Sequence, residues 1–424
     1  MMHGIRRMTR RRFLQGAAAV AAPVVIPASA LGQDGRPAPS GRIILGGIGV
    51  GGQGRGDLGA FRGMGDVQII AVCDPSQKNA EQAKAECEGG GKSCAILKDF
   101  RELCARKDID AVLIATPDHW HALAVCEAAK SGKDIYCEKP MSLTVREART
   151  MVKVVRKYQR VFQTGSQQRS SEEFIKACEL VRNGRIGKVL SIHVNVGGPS
   201  GDRTFPGQPV PPGFDFDLWL GQAPQRDYHP DVVSPGGWRG IRDFSGGGMT
   251  DWGAHHFDIA QWALGMDESG PVEVYPPQGK DYKTLTYKYA NGTLLYHGEA
   301  MAPEGKVNGV LFIGDKGRIE VNRGYFKATP EEVEKAPAGP GDIKLFRSPG
   351  HHRNFIDCVK KRQKPVCDVE IGCRSVTVCH LGNIAYWTRK PFQWDPKKEM
   401  ILGNDKAAAC LERPMRPPWK LPVV

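Results

Sequence analysis

Long hydrophobic runs, fixed-period repeats and local concentrations of charge flanked by aromatics are all missing from the 424 residues. The main apolar stretch, residues 13–26, is shorter than the roughly 20 residues of a membrane-crossing helix, so no span is expected in the mature chain. Twelve cysteines are too sparse for a disulfide scaffold, none forms a CxxC, and no paired Cys/His spacing marks a structural zinc site. Glycine (51) and proline (30) are plentiful but fall at no regular interval, which excludes collagen and solenoid arrays. The net charge of +13 suggests a nucleic-acid partner, yet no basic run alternates with stacking aromatics, and none is expected. What is present, 41% hydrophobic and 25% charged residues over this length, suits two ordinary globular domains.

Five of the positive charges, Arg6, Arg7, Arg10, Arg11 and Arg12, precede the apolar stretch with no acid among them; without them the excess is +8, spread thinly. The segment TRRRFLQ, followed by an Ala-rich run broken by Pro23 and by Ala28-Ser29-Ala30, has the pattern of a twin-arginine export signal over residues 1–30. Residues 31–41, rich in Pro and Gly, read as a linker. A periplasmic or otherwise exported protein is expected. Because this route carries folded proteins, it favours a cofactor loaded beforehand and held tightly. Cys87 and Cys94, on either side of Gly89 to Gly91, are the pair that could bridge after export.

From Arg42 the chain alternates apolar runs with amphipathic segments, the pattern of a doubly wound parallel sheet, here placed at 42–168. The run RIILGGI predicts a strand to Ile48, and GVGGQG after it sets Gly49, Gly51 and Gly54 in GxGxxG spacing, with Gly52 in the same turn. Such glycines allow a tight turn, close approach of backbone to a pyrophosphate, and close helix packing, with the phosphates at a helix N-terminus. The second strand ends in Asp74, twenty residues past Gly54, where a carboxylate accepts hydrogen bonds from adenosine ribose hydroxyls and repels a 2′-phosphate. NAD is therefore expected; Lys78 nearby leaves NADP open.

Four segments in this order, the glycine loop, ATPDHWH at 115–121, Glu138-Lys139-Pro140 and GGGMTDWGAHHFD at 246–258, resemble the Gfo/Idh/MocA oxidoreductases over about residues 42–410. The resemblance implies a Rossmann domain followed by an α+β domain with a large open antiparallel sheet, and hydride transfer between nicotinamide and a sugar, cyclitol or derivative. It also implies a cis Lys139-Pro140 bond and a homodimer or homotetramer formed through the second sheet. Thr116, Pro117, His121, Glu138 and Lys139 join the glycines and Asp74 as expected cofactor contacts, with Asp118 capping the helix that follows.

Lys139, at the carboxyl end of a strand, can stabilise a hydroxyl oxygen as it loses its proton. Asp251 and His255 are four apart in a helical pattern over 249–264, so the carboxylate is expected to orient the imidazole, with His255 as base. A metal held by Asp251, His255, His256 and Asp258 is the rival arrangement; adjacent histidines on a helix diverge, and no metal is expected.

After Lys188 hairpin signals replace the alternation, with turns at Asn291-Gly292 and at Asp315-Lys316-Gly317. The second domain is placed at 169–390 and a C-terminal arm at 391–424. Arg169, Trp238, Arg239 and His256 are the expected substrate contacts, the two middle ones in a long loop over 197–244 rich in Gly, Pro and aromatics. Three activities fit these residues: a dehydrogenase, a redox-neutral enzyme that cleaves glycosides or dismutates sugars by transient hydride removal, and a non-catalytic sugar binder.

Overall fold

In the computed structural model the described residues are 41–88, 93–278, 282–298, 308–335, 337 and 339–424. The expected export signal, and the linker apart from Gly41, lie outside them. Strands β1 (Ile43–Ile48), β2 (Val67–Cys73), β3 (Ala95–Leu97), β4 (Ala111–Ile114), β5 (Asp134–Cys137) and β6 (Phe162–Thr164) form a six-stranded sheet in the order β3-β2-β1-β4-β5-β6. All five pairings are parallel. Strands β4 and β5 are buried along their whole length, as their unbroken apolar runs require when helices cover both faces. The strand order reverses between β1 and β4, and a ligand crevice opens at the carboxyl ends of strands at such a point.

The second sheet has nine strands: β7 (Val189–Asn195), β8 (Glu273–Tyr275), β9 (Leu285–Lys288), β10 (Leu294–His297), β11 (Gly309–Gly314), β12 (Arg318–Asn322), β13 (Tyr325–Thr329), β14 (Phe392–Asp395) and β15 (Met400–Leu402), in the order β13-β12-β11-β7-β10-β9-β8-β14-β15. Both hairpins stand where their turns predict them, and Gly292 takes the positive φ (85°) that an Asn-Gly turn needs. The sheet is mixed, because β10 runs parallel to β7 while the other pairs are antiparallel. The arm expected from 391 first supplies β14 and β15, pairing with β8, before it leaves the sheet.

The two sheets share helices. Val369–Thr388 puts Val369, Cys373 and Val376 into the core beside the first sheet and Val378, Leu381 and Ile384 into the core of the second. His351–Lys361 packs Phe355, Ile356 and Val359 on the other face of the first sheet, so the Rossmann core is completed by chain well beyond 168. Cys87 and Cys94 are buried free thiols. Among the described residues no helix is long and apolar enough to cross a membrane.

Candidate active site

The glycine loop takes the register in which β1 ends at Ile48. Gly49 has φ +74°, and a Cβ there would lie 2.6 Å from the Thr116 nitrogen. Gly54 is pressed so closely against the Gly49 carbonyl that a Cβ would overlap it. At Gly52, the first residue of helix Gly52–Arg62, a Cβ would point into open space, which is the room a pyrophosphate needs at a helix N-terminus. Asp74 follows β2 and accepts from Val50 N and Ser76 N, both at 2.9 Å, and from Asn79 Nδ2 at 3.3 Å, tying the loop to the second strand. Burial raises its acid despite these bonds.

One cavity of about 860 Å³ runs from Gly49, Gly51 and Asp74 past Thr116 and Pro117 to Glu138 and Lys139, and ends at Trp238 and Arg239. A cavity walled by both apolar and polar side chains, with a glycine turn at one end, fits a dinucleotide. Gly54 and His121 do not line it. His121 sits behind, with Nδ1 2.7 Å from the Pro140 carbonyl and Nε2 2.9 Å from that of Thr116. Burial pushes its pKa down to about 4, so the neutral ring donates to one carbonyl at a time and sets the position of both loops. The Lys139-Pro140 bond is cis.

At the far end Lys139 Nζ donates to Asp251 Oδ1 at 2.7 Å and to the Asp251 carbonyl at 3.2 Å. Arg239 Nε lies 3.4 Å from the same carboxylate oxygen, with its guanidinium over Trp238 at 4.4 Å. Burial raises the Asp251 acid, but Lys139 and Arg239 outweigh it and hold the carboxyl below its usual range. The expected Asp251 to His255 pair is thus replaced by a Lys139 to Asp251 pair. The backbone stays helical through Trp252, at φ −86° and ψ −29°, but His255 N donates to the Trp252 carbonyl at 3.1 Å, and the Asp251 carbonyl and carboxylate both accept from Lys139 instead. His255 is buried beside Trp252 with Nδ1 unpartnered. Burial first, then Lys139 and Arg323, drive its pKa far down and keep the imidazole neutral.

Two expected substrate contacts lie elsewhere. Arg169, 1% exposed, makes a two-oxygen contact with Asp258 (2.8 Å at each oxygen) and reaches Asp267 at 2.7 Å, as a buried structural cation. His256 is fully buried and stacked on Trp252 at 5.9 Å. Among the described residues no group of three or more His, Cys, Asp or Glu is placed to hold a metal.

Asp118 is a site residue that the sequence reading assigned only to capping. Pro117 takes the cap position and makes no side-chain bond, while Asp118 opens helix Asp118–Lys130 with its carboxylate in the cavity wall and Oδ2 unpartnered. Burial, aided by Asp251 and opposed by Ser245, Lys139 and Arg239, pushes its pKa up to about 7. The folded protein therefore binds this proton more tightly than the unfolded chain, so stability falls as pH rises from about 4 to 7. Asp118→Asn is expected to remove that slope and stabilise the protein at pH 8 by roughly 2–4 kcal/mol, read from urea unfolding at pH 5 and pH 8. Equal gains at both pH values would contradict this assignment.

Residues 44–166 match the oxidoreductase family described as an NAD-binding Rossmann fold, and 179–421 match the C-terminal alpha/beta domain of the same family. Inositol 2-dehydrogenase of Rhizobium meliloti is 29% identical over 232 residues, 55% of this chain and 57% of that protein. The 2,7-anhydro-N-acetylneuraminate hydratase of Mediterraneibacter gnavus is 27% identical over 237 residues, 56% of this chain and 49% of that protein. The matched region thus spans about half the length of these relatives. The crystal structure of aldose-aldose oxidoreductase from Caulobacter crescentus superposes with a TM-score of 0.60 at 18% identity, covering 83% of this chain and 99% of that one, and it shares the fold. With a glycine turn, a cavity and both domains in their expected order, the chain belongs to the Gfo/Idh/MocA oxidoreductase family, and its first domain is an NAD-binding Rossmann domain.

Proposed function

We propose that this protein is an exported oxidoreductase that moves hydride between NAD and a CH–OH carbon of a sugar or cyclitol. The observation that carries the reading is the Lys139 ammonium, fixed on Asp251 at the end of a cavity that begins at the glycine loop. Gly49, Gly51, Gly52 and Asp74 would hold NAD, which would supply the hydride acceptor and donor. Lys139 hydrogen-bonds the substrate oxygen and stabilises negative charge as its proton leaves. Asp251 holds Lys139 in place. His255 is assigned as the base that takes that proton, a neutral imidazole whose basicity burial lowers. Trp238 offers an aromatic face and Arg239 a fork of donors to sugar hydroxyls. Asp74 favours NAD over NADP. Export rests on the Arg10-Arg11-Arg12-Phe13-Leu14 pattern, and assembly as a homodimer or homotetramer on the nine-stranded sheet.

The similarity to a dehydrogenase supports net oxidation; the similarity to a hydratase supports the redox-neutral alternative, in which hydride is removed and returned. The mass of nucleotide released from denatured protein tests cofactor identity, and a sugar, cyclitol and glycoside panel tests the chemistry. Stoichiometric NADH marks a dehydrogenase, turnover without net NADH marks the redox-neutral enzyme, and binding without turnover would sink both. His255→Gln is expected to slow oxidation by about 10²–10⁴-fold while nucleotide affinity changes little. Undiminished activity in that variant would place the base elsewhere.

A further inference from the structure

Arg323 is a cation that the reaction as described leaves unused. It stands in the two-residue turn between β12 and β13, which is fixed where Gly324 N donates to Glu173 Oε1 at 3.0 Å. Its guanidinium lies over the Trp252 ring at 4.9 Å, and that ring meets the His255 imidazole edge-on at 6.0 Å. Gln168 joins the same two residues: with its amide turned to suit both neighbours, it donates to the His255 carbonyl at 2.9 Å and accepts from Arg323 Nε at 3.3 Å. Arg323 is exposed, its charge reaches Glu138 and Asp251, and among the described residues no carboxylate pairs with it.

The charges around the reacting end do not balance. Lys139 and Arg239 share the one carboxylate of Asp251, and Arg323 adds a third positive charge. Two other acids stand nearby, but burial pushes Asp118 up to about 7 and, with Asp57, raises Glu138 as well, so neither readily gives up its proton to offset the surplus. Asp57 itself lies buried behind the wall, with His352 Nε2 at 3.0 Å from Oδ1. Arg239 is steered by its Nη1, which donates to the Pro235 carbonyl at 2.8 Å. Sugar hydroxyls alone carry nothing that answers this excess, whereas a guanidinium fork matches a pair of carboxylate or phosphate oxygens.

We propose that Arg323, carried by the second sheet and stacked on Trp252 beside His255, anchors an anionic group on the substrate, with the charge of Arg239 in support, so that the protein acts on an acidic sugar or cyclitol bearing a carboxylate or a phosphate. The inference rests on the oxidoreductase reading of the same site and narrows its substrate class. The anion binds in the ground state and takes no part in the hydride step, so its contribution falls on affinity and selection rather than on the chemistry at the CH–OH carbon.

The test measures binding and turnover in the purified full chain with NAD, using glucuronate, galacturonate and glucose 6-phosphate, each against its neutral hexose and the uronates also against their methyl esters, which keep the shape and lose the charge. At least one acid is expected to bind about tenfold or more tighter than its neutral partner, and the carboxylate and phosphate arms show which anion the site takes. Arg323→Gln is expected to reduce the ratio of kcat/KM for acid over neutral sugar about tenfold or more, chiefly through KM, while Arg323→Lys keeps part of it by retaining the charge without the fork. Arg323 is exposed in a turn, so both variants are expected to fold with unchanged urea midpoints. Tighter binding of the neutral hexoses or esters, binding of none of the acids, or a ratio unchanged in Arg323→Gln would overturn the acidic-substrate inference alone. Selective binding of an acid with no reduction of NAD by any sugar would keep the anion site and overturn the oxidoreductase reading instead.

Discussion

Lys139→Met is expected to lower the rate of hydride transfer about 10²–10³-fold, because it removes the donor, held in place by Asp251, that meets charge forming on the substrate oxygen. The loss should fall on kcat rather than KM. Sugar hydroxyls keep Trp238 and Arg239, whereas the interaction with Lys139 strengthens only as the proton departs. A second consequence concerns Asp251. With Lys139 gone, burial is opposed by Arg239 alone, so the Asp251 carboxyl rises from its depressed position and the acid limb of residual activity moves to higher pH. Single-turnover absorbance of the nicotinamide across a pH series reads both effects. A kcat within threefold of wild type would show that Lys139 is a surface cation that happens to pair with Asp251.

Arg169→Met is expected to cost about 3–5 kcal/mol of stability, among the largest effects of any single substitution, without touching the cavity. Its guanidinium is enclosed by Asp258 and Asp267 and lies over Trp262 at 4.9 Å, and Ser375 adds a 2.5 Å bond to Asp258. These residues come from the turn after β6, from helix Gly253–Ala263 and the turn beyond it, and from the long shared helix, so the cluster ties together segments far apart in the sequence. Removing the cation leaves two carboxylates, one of them fully buried, without their partner. The double variant Arg169→Met, Asp258→Leu should recover much of the loss, since an apolar pair needs no desolvated charge. Urea midpoints measure this, and a shift worth less than about 1 kcal/mol for the single variant would show the network to be dispensable.

Much of this architecture was readable in one dimension because its signals are local. Strand-helix alternation is set by the period of apolar residues, and the glycine turn by φ and by the absence of Cβ, so β1, Gly49, Gly54 and Asp74 stand where their spacing put them. Both hairpins of the second domain follow from turn chemistry in the same way. The parallel pairing of β7 with β10 was not legible, since strands a hundred residues apart carry no mark of their partner.

The candidate site divides along the same line. Lys139 is placed by a strand end and a following proline, both local, and it lies in the cavity. Asp251 and His255 were found by spacing but their partners were not, because spacing along one helix does not show that Lys139 arrives beside Asp251 from a strand end 112 residues earlier. Arg169 and His256 looked like substrate contacts, and Asp118 like a helix cap. The sequence by itself determined the fold class, the nucleotide loop and the residue types at the catalytic end. The tertiary structure alone decided which charges are buried and with whom they pair, because desolvation depends on what the rest of the chain brings within a few ångströms. That is why Arg169 became a buried structural cation, and why the loop over 197–244 also lines the cavity that holds Asp74.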